Sequence, residues 1–378
     1  MNERRCIRLV TTVVLAAAWC LVRVESRSAA LESPAPPAQQ KPASEEKTAD
    51  QVYKNIRVLN GLPASELDGV MEFMSASMGV GCNHCHSDSW DSDSKSTKLG
   101  TRRMILMTRA INKENFSGNP AITCYTCHQG HPRTVPLPPI DLAALREPDD
   151  TAPPAKPTVM ATTDAIIGRY DQVIGGEAAI EKIKTRVLRG TETTANRMSA
   201  PATTPIEIYQ TSDNKILIVR GATGGSSSQG FDGLLGWTRD SRGVREMDVK
   251  ELAGARRDAD FYRYLKLKQT YPQMRVLGQE RIGGREAYVV GATSRDDSRE
   301  KLYFDVKTGL LIRRYVTFKT AFGGIPEVTD LDDYRDVNGI RLPFTVKWSR
   351  PPFGFVRRFS EIRINETFDA AKFQRPAR

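Results

Sequence analysis

Cysteine and histidine are scarce in this sequence, and residues 132–378 contain neither. All four histidines and four of the six cysteines lie between residues 82 and 131. Thiolates and imidazoles are the side chains that most often bind soft metals or act as nucleophiles near neutral pH. Their absence from the second part of the chain excludes thiol and imidazole chemistry there and confines it to one short stretch.

The sequence also lacks a dense block of one charge. Lys and Arg number 55 against 45 Asp and Glu, a net charge of +10, but the basic residues are spread along the chain in pairs such as Arg102–Arg103 and Arg357–Arg358. This pattern argues against nucleic-acid binding and indicates a solvated basic surface that would suit an acidic protein partner. With 39% hydrophobic and 26% charged residues, the chain can fold, and its 378 residues predict two or three domains.

The apolar run Leu9–Val22 is too short for a comfortable transmembrane helix, which needs about 20 residues. It follows Arg4, Arg5 and Arg8, and a basic start before a short apolar core is typical of a secretory signal peptide, which we assign to residues 1–30. An uncleaved membrane anchor is the alternative. Both interpretations predict export to the periplasm, and the second adds membrane association.

Two Pro-rich segments divide the rest of the chain. Residues 31–48 and 132–160 are rich in Pro and Ala and are predicted to be linkers, the first of them disordered. They bracket a small domain, residues 49–131, and leave a larger one, residues 161–378.

Residues 49–131 show helical periodicity and no alternating run. A helix is predicted to begin at Pro63 and to end near residue 78, because its apolar residues recur at three- and four-residue steps; they are Leu67, Val70, Met71, Met74 and Met78. A second helix is predicted over 96–112, and its apolar face carries Met104, Met107 and Ile111. The sequence therefore predicts a small all-α domain.

Residues 161–378 alternate in the manner of β-strands after one or two helices, predicted at 163–174 and 177–184. Two pairs of alternating runs flank short turns, Asp213-Asn214 and Thr308-Gly309, which is typical of hairpins. Further strands are predicted at 186–194, 275–282, 286–293, 328–335, 342–349 and 356–364. The fold class is thus multi-domain α + β, with a mainly antiparallel second domain expected to form a curved sheet or half-barrel.

Two Cys-x-x-Cys-His motifs, Cys82–His86 and Cys124–His128, match the attachment motif of c-type haem. In such a motif the two thiols add to the vinyl groups of the haem, and the following histidine binds the iron. The covalent attachment sites are therefore Cys82, Cys85, Cys124 and Cys127, with His86 and His128 as axial ligands. Two covalent haems are the predicted cofactors.

Two other interpretations of these cysteines, a zinc site and a pair of disulfides, fit the sequence less well. A structural zinc site can use two Cys-x-x-Cys pairs, but such pairs lie about 15–20 residues apart and need no histidine after each. Two disulfides would suit an exported protein but leave both histidines unexplained.

The sixth ligand of each iron has to come from elsewhere in the domain. A methionine would raise the haem potential, whereas a second histidine would lower it. Met71, Met74 and Met78 precede the first motif, and Met104 and Met107 precede the second. The rival imidazoles are His84 and His131, and core packing is the other role for these methionines.

Residues 50–131 resemble the cytochrome c subunit of photosynthetic reaction centres. The run Arg102-Arg103-Met104 to Asn112, followed by Ile122 to Gly130, is similar to the second haem module of that family, and Val70–Met74 leading to Cys82 is similar to the first. The family places a methionine on the helix before each motif, which implies Met71 and Met104 as axial ligands, with Met74 as the alternative to Met71. Full-length members carry four haems, whereas this chain has two motifs.

The C-terminal part weakly resembles lipoprotein-carrier-like curved sheets. The segments that carry this resemblance are Phe231-Asp-Gly233, Tyr303 to Gly309 and Phe368 to Pro376.

The resemblance to the cytochrome family implies electron transfer rather than enzymatic activity, with redox proteins as partners, such as a photosynthetic reaction centre or another membrane electron-transfer complex. Lys98, Arg102 and Arg103 are candidates to pair with haem propionates or to be solvated helix charges.

Two alternative functions remain. One is a dihaem redox enzyme, peroxidase-like or sulfur-oxidising, with one open haem. The other is a β-domain that binds a lipid or an apolar ligand. The acidic group of Asp330, Asp332, Asp333 and Asp336 is expected to be solvated rather than to bind a metal.

Overall fold

A computed structural model describes residues 46–134, 161–196, 199–221, 227–295 and 297–376. The predicted signal peptide, most of the linker 31–48 and nearly all of the linker 132–160 lie outside these residues. Within the described ranges no helix combines the length and apolar character needed to cross a membrane.

The part of the chain with the two motifs is helical, as predicted. Its helices are α1 (Ala49–Val52), α2 (Leu67–Met78), α3 (Ser96–Asn115) and α4 (Cys124–His128), with 3₁₀ turns at Ala64–Glu66 and Cys82–His84. The predicted apolar stripe is the buried side of α2, where Leu67, Val70, Phe73, Met74 and Met78 lie in one core cluster. Gly79 ends the helix at a positive φ of 67°, a backbone conformation that glycine adopts without a steric penalty.

The second part begins with α5 (Thr163–Val173) and α6 (Glu177–Ile180), which confirms the predicted pair of helices in shorter form. Thirteen strands follow, interrupted by α7 (Val249–Ala259) and α8 (Leu267–Thr270) and followed by a 3₁₀ turn at Ala370–Phe373. The strands are β1 (Thr185–Asn196), β2 (Ser199–Thr211), β3 (Lys215–Arg220), β4 (Ser227–Phe231), β5 (Gly236–Asp240), β6 (Gly243–Glu246), β7 (Gln273–Ile282), β8 (Arg285–Thr293), β9 (Arg299–Asp305), β10 (Leu311–Thr320), β11 (Gly323–Val337), β12 (Ile340–Arg350) and β13 (Phe353–Ile364).

All thirteen strands join one antiparallel sheet, in the order β6-β5-β4-β3-β2-β1-β13-β12-β11-β10-β9-β8-β7. The first strand, β1, lies in the middle of the sheet, and the chain proceeds strand by strand to the β6 edge. It then crosses through α7 and α8 to the β7 edge and returns strand by strand to the middle. The first and last strands therefore pair at the centre, with Arg186 opposite Ile364. The predicted antiparallel architecture is confirmed.

Helices cover one face of this sheet. From α5, Ile166, Ile167 and Tyr170 are buried in the same cluster as Ala255 and Ala259 of α7. Side chains from eight adjacent strands, β4-β3-β2-β1-β13-β12-β11-β10 in sheet order, line a single cavity on this face together with α7, so the face is concave.

The helical part packs directly against the sheet, and the described residues from 46 to 376 belong to one compact unit. Phe322 and Ile325, from the β10–β11 hairpin, belong to the same core cluster as the buried face of α2. The predicted boundaries at residues 131 and 161 lie beside or inside the undescribed segment and stay a prediction.

Candidate functional site

The first Cys-x-x-Cys-His motif forms a tight turn held by its own backbone. The backbone N–H of His86 donates to the carbonyl oxygen of Cys82 at 3.0 Å, which brings both cysteines and the histidine to one side of the turn. The hydroxyl of Thr97, at the start of α3, donates to the carbonyl oxygen of His84 at 2.5 Å. Lys95 donates to the carbonyl oxygen of Asn83. The turn is thus fastened to α3.

The ring of His86 is oriented by a backbone acceptor. Its Nδ1 lies 3.0 Å from the carbonyl oxygen of Trp90, and because a carbonyl only accepts, Nδ1 carries the proton and Nε2 keeps its lone pair. Burial, followed by the charges of Lys98 and Arg102, lowers the pKa of His86 despite the opposing hydrogen bond. The imidazole is therefore neutral near pH 7 and able to bind iron through Nε2.

A cavity of about 1060 Å³ opens beside this turn. Cys82, Cys85 and His86 line it, and Met71, Met74 and Met78 of α2 line it as well. Met71 is half-buried and Met74 is buried, so both candidate thioethers reach the cavity. The rival ligand His84 is not among the lining residues.

Two of the three predicted propionate partners also line this cavity. The side chains of Lys98 and Arg102 are 11% and 16% exposed, and both approach Asp93, at 3.5 and 2.9 Å. Arg102 also donates to the carbonyl oxygen of Asn55 at 3.0 Å. Arg103 does not line the cavity. Two largely buried cations therefore line the cavity, together with the carboxylates of Asp68, Glu72, Asp88 and Asp91.

Burial raises the pKa of two motif thiols, Cys82 and Cys124. The four motif cysteines form no disulfide bond in this structure. Among the described residues, no group of three His, Cys, Asp or Glu side chains is placed to hold a metal ion, so the two motifs do not converge as a zinc site would require. The residues present fit covalent haem better than either alternative.

The second motif forms helix α4. Nδ1 of His128 lies 3.0 Å from the carbonyl oxygen of His131, so this ring is oriented in the same way as His86 and likewise keeps Nε2 available. Cys124 packs against the core cluster of α2, whereas Cys127 is exposed. His131, the other rival ligand, thus takes part in the site through its backbone.

Two contacts attach the second motif to the helices before it. The N–H of Gly130 donates to the carbonyl oxygen of Ser77 at 2.8 Å, which joins the end of α4 to α2. Asn112, near the end of α3, exchanges two hydrogen bonds with the backbone of Ile122, just before the motif.

Met104 and Met107 lie on one side of α3 and are 42% and 45% exposed. Thr108 donates to the backbone carbonyl oxygen of Met104 at 2.9 Å, a contact within the helix. These exposed thioethers differ from Met71 and Met74, which lie in a cavity wall. The assignment of Met104 as a ligand stays a prediction.

Several residues that line the cavity belong to no sequence motif and could not be predicted from the sequence. Trp90 lies against His86, with ring centroids 5.0 Å apart. Pro352 and Phe353, from the turn between β12 and β13, also line the cavity. They lie more than 250 positions after the motif, so proximity in the sequence gives no signal for them.

The acidic residues of β11 are separately partnered. Asp330 pairs with Arg313 at 2.5 Å, Asp332 with Arg285 at 3.5 Å, and Asp333 with Arg335 at 2.6 Å. Asp336 accepts the backbone N–H of Gly339 at 3.1 Å. They point to different partners rather than to a shared cation.

The concave face of the sheet holds a second cavity, of about 760 Å³. Aliphatic, aromatic and charged side chains all line it. Arg186 lies in its wall, donates twice to Oε1 of Gln210 and stacks on Phe261, and burial lowers its pKa to about 10. A ligand-binding role of this cavity stays a hypothesis.

Comparison with known proteins confirms the resemblance in the haem region. The family model of the photosynthetic reaction centre cytochrome C subunit matches residues 20–139. The photosynthetic reaction center cytochrome c subunit of Rubrivivax gelatinosus is 36% identical over 88 residues, 22% of this chain and 24% of that protein. That of Thermochromatium tepidum is 38% identical over 89 residues, 22% of each chain. The matching region thus spans less than a quarter of the length of these relatives.

Among solved structures, a LolA superfamily protein from Nitrosomonas europaea is similar to this chain with a TM-score of 0.41 and 12% identity. The similarity covers 57% of this chain and 99% of that one.

Proposed function

We propose that this chain is an exported electron-transfer protein that carries two covalently attached c-type haems. The observation that carries the proposal is a repeated arrangement. In each motif, Nδ1 of the histidine is held by a backbone carbonyl at 3.0 Å, and Nε2 is left free as an iron ligand. The similarity of this region to cytochrome c subunits supports the same conclusion.

The residues of each site have separate roles. Cys82 and Cys85 would hold the first haem, and Cys124 and Cys127 the second, through thioether bonds. His86 and His128 would each supply a nitrogen ligand to an iron. When bound, each haem supplies a one-electron Fe(III)/Fe(II) couple.

On the other side of the first iron we assign Met71, with Met74 as the competing thioether, since both line the cavity. For the second we assign Met104. A thioether ligand would favour the reduced state and leave no open coordination position, which supports electron transfer over an enzymatic reaction.

The chain's own residues shape the first site for this role. The apolar side chains of α2 and Ile105 would shield the bound group from water, and Lys98 and Arg102, which line the cavity, would offer positive charge to its propionates. With a net charge of +10, the protein suits an acidic redox partner in the periplasm. We propose a membrane electron-transfer complex, such as a photosynthetic reaction centre, as that partner.

An optical redox titration of the protein exported by a host with haem-maturation machinery tests the proposal, together with a pyridine haemochrome assay. We expect two covalent haems per chain, both low-spin and both with the absorption band of a methionine–iron bond. A protein without covalent haem would refute the proposal. One high-spin haem would favour a dihaem enzyme instead.

A further inference from the structure

We propose that the C-terminal sheet forms part of the first haem site. Pro352 and Phe353 contact that haem, and the β10–β11 hairpin positions the helix that supplies its methionine. This inference rests on the proposed function, because it concerns the same cavity. It assigns to the sheet a role in tuning one of the two haems.

The turn between β12 and β13 reaches the cavity itself. Pro352 is buried and Phe353 is half-buried, and both line the cavity that Cys82, Cys85 and His86 share. An aromatic side chain in the wall of a haem cavity excludes water from the porphyrin, and exclusion of water disfavours the more highly charged ferric state. Phe353 should therefore raise the potential of the first haem.

The β10–β11 hairpin packs against α2. Phe322 and Ile325 are 7% and 1% exposed and pack in one cluster with Val70 and Phe73 of α2. The approach is so close that a Cβ atom at Gly323 would lie 2.6 Å from the ring of Phe73. Helix α2 thus has little freedom to shift or rotate against the hairpin.

A chain of charges joins the same helix to the interior of the sheet. Glu72, the residue after Met71, lies 3.3 Å from Arg350 at the end of β12. Arg350 also approaches Glu327 at 3.5 Å, and Glu327 is 3.2 Å from Arg314, whose own partner is the buried Glu300. The helical turn with Met71 is therefore held by contacts that originate in the sheet.

The second motif also rests on α2 but lies outside the first cavity. Its hydrogen bonds run to Ser77 of α2 and, through Ile122, to Asn112 of α3. No residue of the sheet supplies a hydrogen bond to Cys124–His128 in the part of the chain that the structure describes, and neither Cys124 nor His128 lines the cavity that Phe353 lines. A change at Phe353 should thus affect the first haem more than the second, whereas a change that loosens α2 should reach both motifs.

Substitutions in the full-length, haem-loaded protein test this inference. Phe353→Ala should admit water to the first cavity and favour the ferric state of one haem about tenfold. The midpoint potential of that haem should therefore fall by ~59 mV, since the couple transfers one electron. Phe353→Leu, which restores apolar volume, should recover most of the shift. The matched control is Phe355→Ala, two residues further on the same strand, because Phe355 stacks on Trp348 at 5.3 Å and does not line the first cavity.

Phe322→Leu tests the hairpin, because leucine keeps the core apolar while loosening its contact with α2. We expect the methionine–iron band of the first haem to weaken most, because α2 supplies its methionine. The second haem should respond less, through Ser77 and Cys124, which contact the same helix and cluster. The measurements are haem content, two midpoint potentials and the intensity of this band.

The possible results separate the two proposals. Two haems with unchanged potentials and bands in Phe353→Ala and Phe322→Leu would overturn the role of the sheet while leaving the electron-transfer function intact. Equal shifts of both haems in Phe353→Ala, or a shift in Phe355→Ala as large as that in Phe353→Ala, would also overturn it. Absence of covalent haem from the unsubstituted protein would instead refute the proposed function.

Discussion

The side chain of Asn112 and the backbone of Ile122 form a closed pair of hydrogen bonds. Nδ2 of Asn112 donates to the carbonyl oxygen of Ile122 at 2.7 Å, and Oδ1 accepts the N–H of Ile122 at 2.9 Å. The amide pairs with both backbone groups of Ile122, as a neighbouring β-strand would, and fixes the segment that leads into Cys124. The position of the second motif relative to α3 thus depends on one buried side chain.

Asn112→Ala should therefore destabilise the protein by about 1–3 kcal/mol, because it leaves two backbone groups of Ile122 unpaired. Urea unfolding followed by circular dichroism measures the change. Asn115→Ala is the control, since that amide only donates to Ile111 within its own helix, at 3.1 Å. Equal losses in both variants would contradict the special role of Asn112.

Replacing both cysteines of one motif should remove one haem and leave the other. Cys82→Ser with Cys85→Ser should give one covalent haem per chain, and so should Cys124→Ser with Cys127→Ser, because serine cannot form the thioether bonds. The pyridine haemochrome assay counts them. A pair that retains two covalent haems would show that its motif is not an attachment site.

The two candidate ligands among the methionines of the first cavity, Met71 and Met74, can be distinguished by substitution with leucine, which keeps the volume and removes the sulfur. Met71→Leu should abolish the methionine–iron band of one haem and lower its potential, whereas Met74→Leu should preserve both. The opposite result would assign Met74.

At the second site, Met104→Leu should have the same effect as Met71→Leu, on the other haem. Met107→Leu is the control, because it lies on the same side of α3 with similar exposure. Retention of both bands in Met104→Leu would exclude that residue as a ligand.

Gly323→Ala should destabilise the contact between α2 and the hairpin. The added methyl group would meet the ring of Phe73 at 2.6 Å, and the φ of 147° is unfavourable for alanine. We expect a loss of about 1–3 kcal/mol. Gly168→Ala, inside α5 with nothing within 4 Å, should be neutral or stabilising, and thermal unfolding compares the two.

Glu300 should make stability depend on pH. Burial alone would raise its pKa, but hydrogen bonds and charge from Arg314, with Arg263 and Tyr271, outweigh burial and lower the pKa below the ordinary 4.5. Because its pKa is lower in the folded state, the ionised Glu300 carboxylate contributes to the free energy of unfolding above about pH 4.5. This contribution is lost as the pH falls through the lowered pKa.

Glu300→Gln should therefore lower the free energy of unfolding by about 3–5 kcal/mol at pH 7, because it leaves buried arginines without a carboxylate. The difference in free energy of unfolding between the variant and the unsubstituted protein should become smaller below pH 4.5. Unfolding at a series of pH values measures it, with the exposed Glu280→Gln as the control. A constant difference across pH would contradict the assignment.

Much of the fold could be predicted because its signals are local. The stripe on α2, the helix Ser96–Asn115 and both hairpins follow from spacing that any short window of sequence contains. The order of the strands in the sheet could not be predicted from such local spacing. The reason is that β1 and β13, the first and last strands along the chain, pair with each other.

The sequence by itself predicted where the chemistry lies. Two thiols and a histidine within five residues form each motif, and covalent attachment needs no distant partner. Only the tertiary structure decided what surrounds the first motif. It brought Met71 and Met74 to the same wall, placed Arg102 there but not Arg103, and added Pro352 and Phe353. Such contacts depend on how the sheet packs against α2, and long-range packing leaves no periodic trace in the residues that make it.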